Sequence, residues 1–436
     1  MTKNTALPAW MPMATIGVLF FIFGFITWLN GALIPFLQII CDLNEVQALL
    51  VAFCFYIAFV VMALPMSRVL EKTGYQNGMV IGLVLVAMGL LMFVPAAYTR
   101  WFGIFLLAQF VVGSGLTILQ TAANPYVVRL GSQEYAAVRI AVMGFLNKSA
   151  GMLSPMVFTA LVLANFQDVS AASVATLQPQ AREAKVAAMA DQVIAPYVAM
   201  AVIMLVLAAA LFRVALPDIH EPKEDRSFGQ RHIFRHPQLV LGAVAIFFYV
   251  GVEVIAGDTI GLYGSSLGLQ NVTSLTSYTM AAMLMGYVMG LLLVPGWLSQ
   301  SQALLASAVL GILLSVLILL SDENSYRVSS ALWGWSGIPV IPDPIALIAM
   351  LGLANAMCWP AIWPLALADL GALTARGSAM LIMGIAGGAV LPLVYGSMAE
   401  IMSRKTAYLL LIPGYVFIAF YALYGHKKRS WKRADN

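Results

Sequence analysis

Long apolar segments separated by short polar ones run along almost the whole chain. Most are 20 residues or longer, which is roughly the length that an α-helix needs to cross the hydrocarbon core of a bilayer. The pattern predicts twelve spanning helices, at residues 14–40, 46–69, 79–97, 102–128, 138–165, 195–215, 238–262, 275–298, 303–320, 344–368, 377–402 and 407–425. The predicted fold class is therefore an all-α polytopic membrane protein.

Composition agrees with a lipid environment. The chain is 61% hydrophobic and only 10% charged, with a mean hydropathy of +0.90, whereas soluble domains carry about 25% charged residues. The three cysteines lie at separate places, and the four histidines fall in loops or the tail. Because these residues form no ligand cluster, we expect no metal site and no cofactor.

The positions of Lys and Arg predict the topology. Sixteen of the 23 fall in loops on the side of the N-terminus, six fall on the opposite side, and Lys148 alone lies within a span. Because cytoplasmic loops are enriched in Lys and Arg, both termini are expected in the cytoplasm. The net charge of +4 is then a topological signal, and no nucleic-acid partner is implied.

The longest polar stretch on the predicted cytoplasmic side divides the spans six and six. It predicts an N-terminal bundle at 1–215, a linker at 216–237, and a C-terminal bundle with a basic tail at 238–436. Two such bundles are typical of transporters that move about a central site near the midplane. An insertion at 166–194 is interpreted as either an amphipathic surface helix or a solvated connector. Gly74 marks either a hinge or a tight turn.

Polar and aromatic side chains are concentrated in helices 1, 4, 5, 7 and 10. Carboxamides donate to and accept from vicinal hydroxyls, and indole rings stack on the apolar face of a pyranose. This combination predicts a sugar site. The candidate substrate ligands are Asn30, Gln120, Asn124, Asn147, Asn355, Trp359 and Trp363, and the candidate coupling residues are Lys148, Glu253 and Asp258. The alternative for Asp258 is a solvated carboxylate near the outer end of helix 7.

Four segments carry a more specific pattern, namely ILQTAANPYVVRLG, GFITWLNGALIP, FYVGVEV and NAMCWPAIW. Together they resemble the bacterial glucose/galactose and L-fucose symporter family of the major facilitator superfamily. The resemblance implies twelve helices in two bundles, a monosaccharide substrate, an inner-membrane location and coupling to protons or sodium.

The chain departs from that family pattern at several positions. Where the family has an aspartate in helix 1, this chain has Gly31, and where it has a glutamine in helix 5, this chain has Gly144. Gln120 matches the glucose/galactose branch, whereas the fucose branch has a glutamate there. The chain adds Lys148 and Asp258, so the coupling chemistry is expected to differ.

Lys148 admits three hypotheses, because a lysine within a span costs a few kcal/mol and usually faces a cavity or a partner charge. Its ammonium could replace a coupling cation beside Gln120 and Asn147, in which case coupling is absent or runs through deprotonation of Lys148 itself. It could pair with Glu253 or Asp258 across the two bundles. It could also snorkel toward the membrane surface or bond to backbone carbonyls freed near Pro155.

Other functional classes lack their sequence signals. A membrane enzyme would require clustered His/Asp or Ser/Lys residues, and a sensor would require an output domain; neither pattern is present. The sequence therefore predicts a monomeric, proton-coupled monosaccharide permease of the glucose, galactose or mannose type. The alternatives are an N-acetylhexosamine permease, such as one for N-acetylglucosamine, and an uncoupled or sodium-coupled sugar transporter.

Overall fold

The computed structural model describes residues 10–129, 136–162, 174, 176–214, 230–294, 296–370 and 373–431. Within these ranges every regular element is a helix. The twelve spanning helices begin and end as follows: α1, Trp10–Trp28 and Asn30–Cys41; α2, Glu45–Val61 and the part of Ala63–Leu91 before Gly74; α3, the remainder of Ala63–Leu91 and Phe93–Thr99; α4, Phe102–Arg129; α5, Ala136–Val162; α6, Ile194–Arg213; α7, Pro237–Asp258 and Ile260–Ser266; α8, Leu275–Leu293; α9, Gln300–Leu320; α10, Asp343–Asn355 and Cys358–Leu367; α11, Thr374–Met383 and Gly387–Ile401; α12, Arg404–Ala407 and Leu411–Leu423.

The predicted all-helical membrane fold is confirmed. Ten helices of the described part are long and apolar enough to cross a membrane by themselves, and Glu45–Val61 is a shorter apolar helix. The remaining helix, α5, has 27 residues and is about 40 Å long at 1.5 Å per residue, which exceeds a hydrocarbon core of about 30 Å. The predicted linker lies largely outside the described residues, which resume at a 3₁₀ turn, Gln230–Arg235.

Several spanning helices are locally irregular: α1 at Leu29, α7 at Thr259, and α10 after Asn355, just before Pro360. Leu29 and Thr259 nevertheless keep helical φ and ψ, so α1 and α7 each continue through these positions. Gly74 lies between α2 and α3 with a φ of +78°. Residues other than glycine rarely adopt this backbone conformation, and Gly74 forms the turn between the two helices.

The two sets of six helices touch closely at the end of the bundle that carries the α1–α2 turn, which we call the α1–α2 end. Arg404 Nε of α12 donates to Glu45 Oε1 of α2 at 2.9 Å. The hydroxyls of Thr159 and Thr273 are 2.6 Å apart, and each comes from a different half. A Cβ on Gly31 would lie 2.1 Å from Thr276 Oγ1. The α1–α2 end is therefore closed in this conformation.

The insertion between α5 and α6 contains a helix, Pro179–Gln192. Val186, Met189 and Ala190 on one of its faces are buried, as expected for the amphipathic interpretation. Arg182 Nη2 lies 2.9 Å from Asp42 Oδ1 at the end of α1. Residues 166–173 and 175 of the insertion lie outside the described residues.

Candidate transport site

An ion pair joins the two halves in the middle of the bundle. Lys148 Nζ of α5 lies 2.7 Å from Glu253 Oε1 of α7, and the side chains are only 10% and 8% exposed. The hydroxyl of Tyr249, one turn earlier on α7, donates to the same oxygen at 2.9 Å. Two opposite charges held this deep satisfy each other in place of water. Of the three hypotheses for Lys148, the pairing with Glu253 is the arrangement that this conformation contains.

Aromatic rings enclose the ion pair. Lys148 Nζ lies 4.6 Å from the centroid of the Trp28 ring, within the range of a cation–π contact. Tyr287 of α8 packs on the backbone of α5, because a Cβ on Gly144 would lie 3.1 Å from Tyr287 Cε1. The ring thus occupies the space that a side chain at position 144 would require.

The carboxamides of α4 and α5 differ in how their polar atoms are satisfied. Gln120 and Asn124 are half-buried, and among the described residues neither side chain has a hydrogen-bond partner. Asn147 Nδ2 donates to the Phe20 carbonyl of α1 at 3.2 Å. Because an unsatisfied amide facing lipid would cost a few kcal/mol, we expect Gln120 and Asn124 to face a polar space.

The two tryptophans of α10 form a stacked pair. Their ring centroids are 5.1 Å apart at an interplanar angle of 26°, and both rings are half-buried. Trp359 also lies 6.3 Å from the Tyr249 ring. Because Trp363 is one turn further along α10, the aromatic series Tyr249, Trp359, Trp363 extends from Glu253 toward the α6–α7 end of the bundle.

Two of the predicted ligands lie elsewhere. Asn30 is 1% exposed and Asn355 is fully buried. Asn30 Oδ1 accepts from Gln109 Nε2 at 2.9 Å, and Asn355 Oδ1 accepts from the Tyr415 hydroxyl at 2.8 Å. Each amide therefore braces helices within its own half, and the structure does not bring it to the central space. Both were predicted as substrate ligands because the depth of an amide in a span does not reveal which face of the helix carries it.

Asp258 is buried rather than solvated. Helix α7 continues past it to Ser266, so the expectation of a carboxylate near the helix end is corrected. Asp258 has no exposed surface, and among the described residues neither carboxyl oxygen has a hydrogen-bond partner. Glu253 and Tyr56 are the titratable groups with which it interacts electrostatically.

Sequence reasoning did not identify Tyr249 and Tyr287 as members of the centre. The spacing of Tyr249 four residues before Glu253 is a usable signal, since i and i+4 share a helix face. Tyr287 carries no such signal, because only packing of α8 on α5 brings it close. Among the described residues no group of three His, Cys, Asp or Glu side chains could hold a metal ion.

Comparisons with known proteins identify the family. A family model for the Major Facilitator Superfamily matches residues 16–389. The chain belongs to the major facilitator superfamily. A member described as a glucose/galactose transporter of Brucella abortus biovar 1 (strain 9-941) is 34% identical over 423 residues, covering 95% of this chain and 94% of the relative. A putative glucose/galactose transporter of Helicobacter pylori (strain ATCC 700392 / 26695) is 34% identical over 442 residues, covering 98% and 99%.

More distant members include a fucose transporter. The L-fucose-proton symporter of Escherichia coli (strain K12) is 25% identical over 409 residues, covering 89% of this chain and 87% of the relative. A crystal structure of the superfamily transporter FucP in the outward conformation matches with a TM-score of 0.70 at 24% identity, covering 95% of this chain and 98% of that one. The structural match confirms the superfamily fold of this multi-pass membrane protein.

Proposed function

We propose that this protein imports a monosaccharide of the glucose, galactose or mannose type across the bacterial inner membrane by alternating access. The relatives described as glucose/galactose transporters, which align over almost the whole chain, support the substrate class. The distribution of Lys and Arg supports an orientation with both termini in the cytoplasm. The α1–α2 end then lies on the outer side of the membrane, and the contacts that close it correspond to an inward-facing conformation.

The observation that carries the proposal is the Trp359–Trp363 pair next to the Tyr249–Glu253 contact, together with half-buried carboxamides on α4 and α5. The amide groups of Gln120 and Asn124 form no hydrogen bond with any described residue, so they are available to a ligand. The Trp359–Trp363 pair offers an indole surface. A hexose needs hydrogen bonds around its rim and an apolar surface under its C–H face. Asn147 is the third candidate, with its Oδ1 available to accept from a hydroxyl.

The charges in the centre support the proposal that transport is coupled to protons. Lys148 and Glu253 neutralise each other, so they form a balanced pair. Asp258 has neither exposure nor a hydrogen-bond partner among the described residues, and an isolated buried carboxylate is strongly unfavourable. We therefore assign Asp258 a bound proton in this conformation and propose that it loses this proton when α7 separates from the other half, with Tyr56 and Glu253 as the titratable groups around it.

The test is uptake into proteoliposomes. Labelled glucose, galactose, mannose and N-acetylglucosamine are each offered with an inward proton gradient, an inward sodium gradient, or neither. We expect accumulation of at least one hexose above its external concentration with the proton gradient alone. Preference for N-acetylglucosamine would replace the hexose assignment, accumulation with sodium alone would replace the proton, and equilibration without accumulation would identify a uniporter.

Asp258→Asn isolates the proposed proton site, because asparagine keeps the size of the side chain but cannot carry the proton. We expect Asp258→Asn to lose accumulation and to keep exchange of labelled for unlabelled sugar across the membrane. Asp322→Asn is the matched control, since Asp322 lies in an exposed loop after α9. Accumulation by Asp258→Asn at the wild-type level would show that the proton is carried elsewhere.

A further inference from the structure

The indole of Trp28 fills a slot with one wall from each half of the protein. Trp28 is 2% exposed. A Cβ on Gly151 of α5 would lie 2.5 Å from Trp28 Cδ1, and a Cβ on Gly257 of α7 would lie 2.4 Å from Trp28 Cζ3. Because both approaches are too close for any side chain, the two glycines are what allow the ring to enter.

No hydrogen bond holds the ring in this slot. The indole N–H of Trp28 is buried, and it has no acceptor among the described residues. The position of the ring is therefore set by the two glycine walls and by the ammonium of Lys148, which lies 4.6 Å from the ring centroid. A ring placed in this way depends on the halves being together and on the lysine remaining where Glu253 holds it.

Trp28 also lies at a boundary along α1. The next residue, Leu29, is a local irregularity in the helix, and two residues further on Gly31 packs against Thr276 of α8. The contacts that close the α1–α2 end therefore begin directly beyond the indole, while the Lys148–Glu253 pair lies directly against it.

We infer that Trp28 is a positioning residue that links the Lys148–Glu253 ion pair to closure of the α1–α2 end, an inference that rests on the proposed function. While the pair is formed, the ammonium supports the ring and the ring blocks the passage between α5 and α7. When α7 moves away from α5, Gly257 leaves the ring and Glu253 leaves Lys148 in the same displacement. Opening of that end and release of the ion pair are consequently one event.

A cross-linking assay measures closure without relying on transport. Thr159 and Thr273, whose hydroxyls are 2.6 Å apart across the halves, are both replaced by cysteine in a chain whose Cys41, Cys54 and Cys358 are changed to alanine. The initial rate of disulfide formation under mild oxidation then reports the closed fraction. For Trp28→Leu we expect this rate to fall about fivefold, which corresponds to the loss of about 1 kcal/mol of cation–ring attraction.

Transport assays on the same variants separate positioning from general damage. Trp28→Leu is expected to lose accumulation while retaining sugar exchange, and Trp28→Phe, which keeps a ring over the ammonium, is expected to recover part of both accumulation and cross-linking. Gly151→Ala fills the slot from the other side and should behave like Trp28→Leu. Trp101→Leu is the control, because that indole is 67% exposed and contacts neither the slot nor the pair.

The outcomes distinguish this inference from the proposed function. Wild-type cross-linking and wild-type accumulation in both Trp28→Leu and Gly151→Ala would overturn the role of Trp28. If the unmodified protein moved none of the four sugars, while cross-linking still fell in both variants, the proposed substrate would be wrong and the link between Trp28 and closure would stand.

Discussion

Removing the ammonium of Lys148 is expected to destabilise the protein more than any exposed charge change. Lys148→Met keeps most of the side-chain volume but leaves the Glu253 carboxylate, which is 8% exposed, without its cation. Breaking a buried ion pair from one side costs about 3–5 kcal/mol. Tyr249 still donates to Glu253 at 2.9 Å, and this remaining hydrogen bond places our expectation near the lower limit, at about 3 kcal/mol.

The size of the thermal shift follows from the length of the chain. An unfolding entropy of about 2.1 cal/mol/K per residue gives about 0.9 kcal/mol/K for 436 residues. A loss of about 3 kcal/mol then lowers the melting temperature by about 3 °C. The measurement is thermal unfolding of the purified protein in detergent, monitored as the loss of the monodisperse peak in size-exclusion chromatography.

Two further variants make this result specific. Lys148→Met combined with Glu253→Gln removes both charges, and we expect it to melt within about 1 °C of the wild type, because replacing a whole buried pair is often neutral. Arg182→Met breaks an ion pair whose side chains are 38% and 82% exposed, and such pairs contribute about 0–1 kcal/mol. Two outcomes would refute the buried-pair reasoning. The first is a melting temperature of Lys148→Met equal to or above that of Arg182→Met. The second is a double variant that melts at or below the temperature of Lys148→Met alone.

Three predictions concern other positions. Gly31→Asp should lower the melting temperature and slow closure of the α1–α2 end in the cross-linking assay, because its Cβ would lie 2.1 Å from Thr276 Oγ1; unchanged closure would contradict the packing. Tyr415→Phe should cost about 1–3 kcal/mol by leaving the buried Oδ1 of Asn355 without its donor; a changed KM for sugar would return Asn355 to the list of ligands. Gly74→Ala should cost about 1–3 kcal/mol through its φ of +78° alone, since no atom lies within 4 Å of the added Cβ; a melting temperature equal to that of the wild type would show that the turn relaxes.

The sequence was sufficient for the membrane fold because the signal is repeated and local. A segment of about 20 apolar residues can satisfy its backbone in lipid only as a helix, and this condition applies to each span independently of the others. The same holds for Lys148, since a charge within an apolar segment is recognisable wherever the segment packs. Its need for a partner is predictable from the sequence, which offers Glu253 and Asp258 of α7 as partners.

Which polar side chains share the central space depended on the tertiary structure. Asn30 and Asn147 are both carboxamides within spans. Asn30 accepts from Gln109 of its own half, and Asn147, next to Lys148 in the chain, donates to the Phe20 carbonyl of α1. The sequence alone does not distinguish an amide that faces the central space from one that braces helices. Only the rotation of each helix about its axis, which is set by packing against its neighbours, decides between them.

The contact between the halves was likewise beyond the sequence. Trp28 and Gly151 are 123 residues apart in the sequence, and Gly151 and Gly257 are 106 residues apart. No local pattern joins an indole on α1 to glycines on α5 and α7. Hydrophobic periodicity fixes helices one at a time, because each buries its apolar surface in lipid or protein. The ion pair and the indole slot exist only where six helices of one half meet six of the other, so their geometry is a property of the assembled bundle.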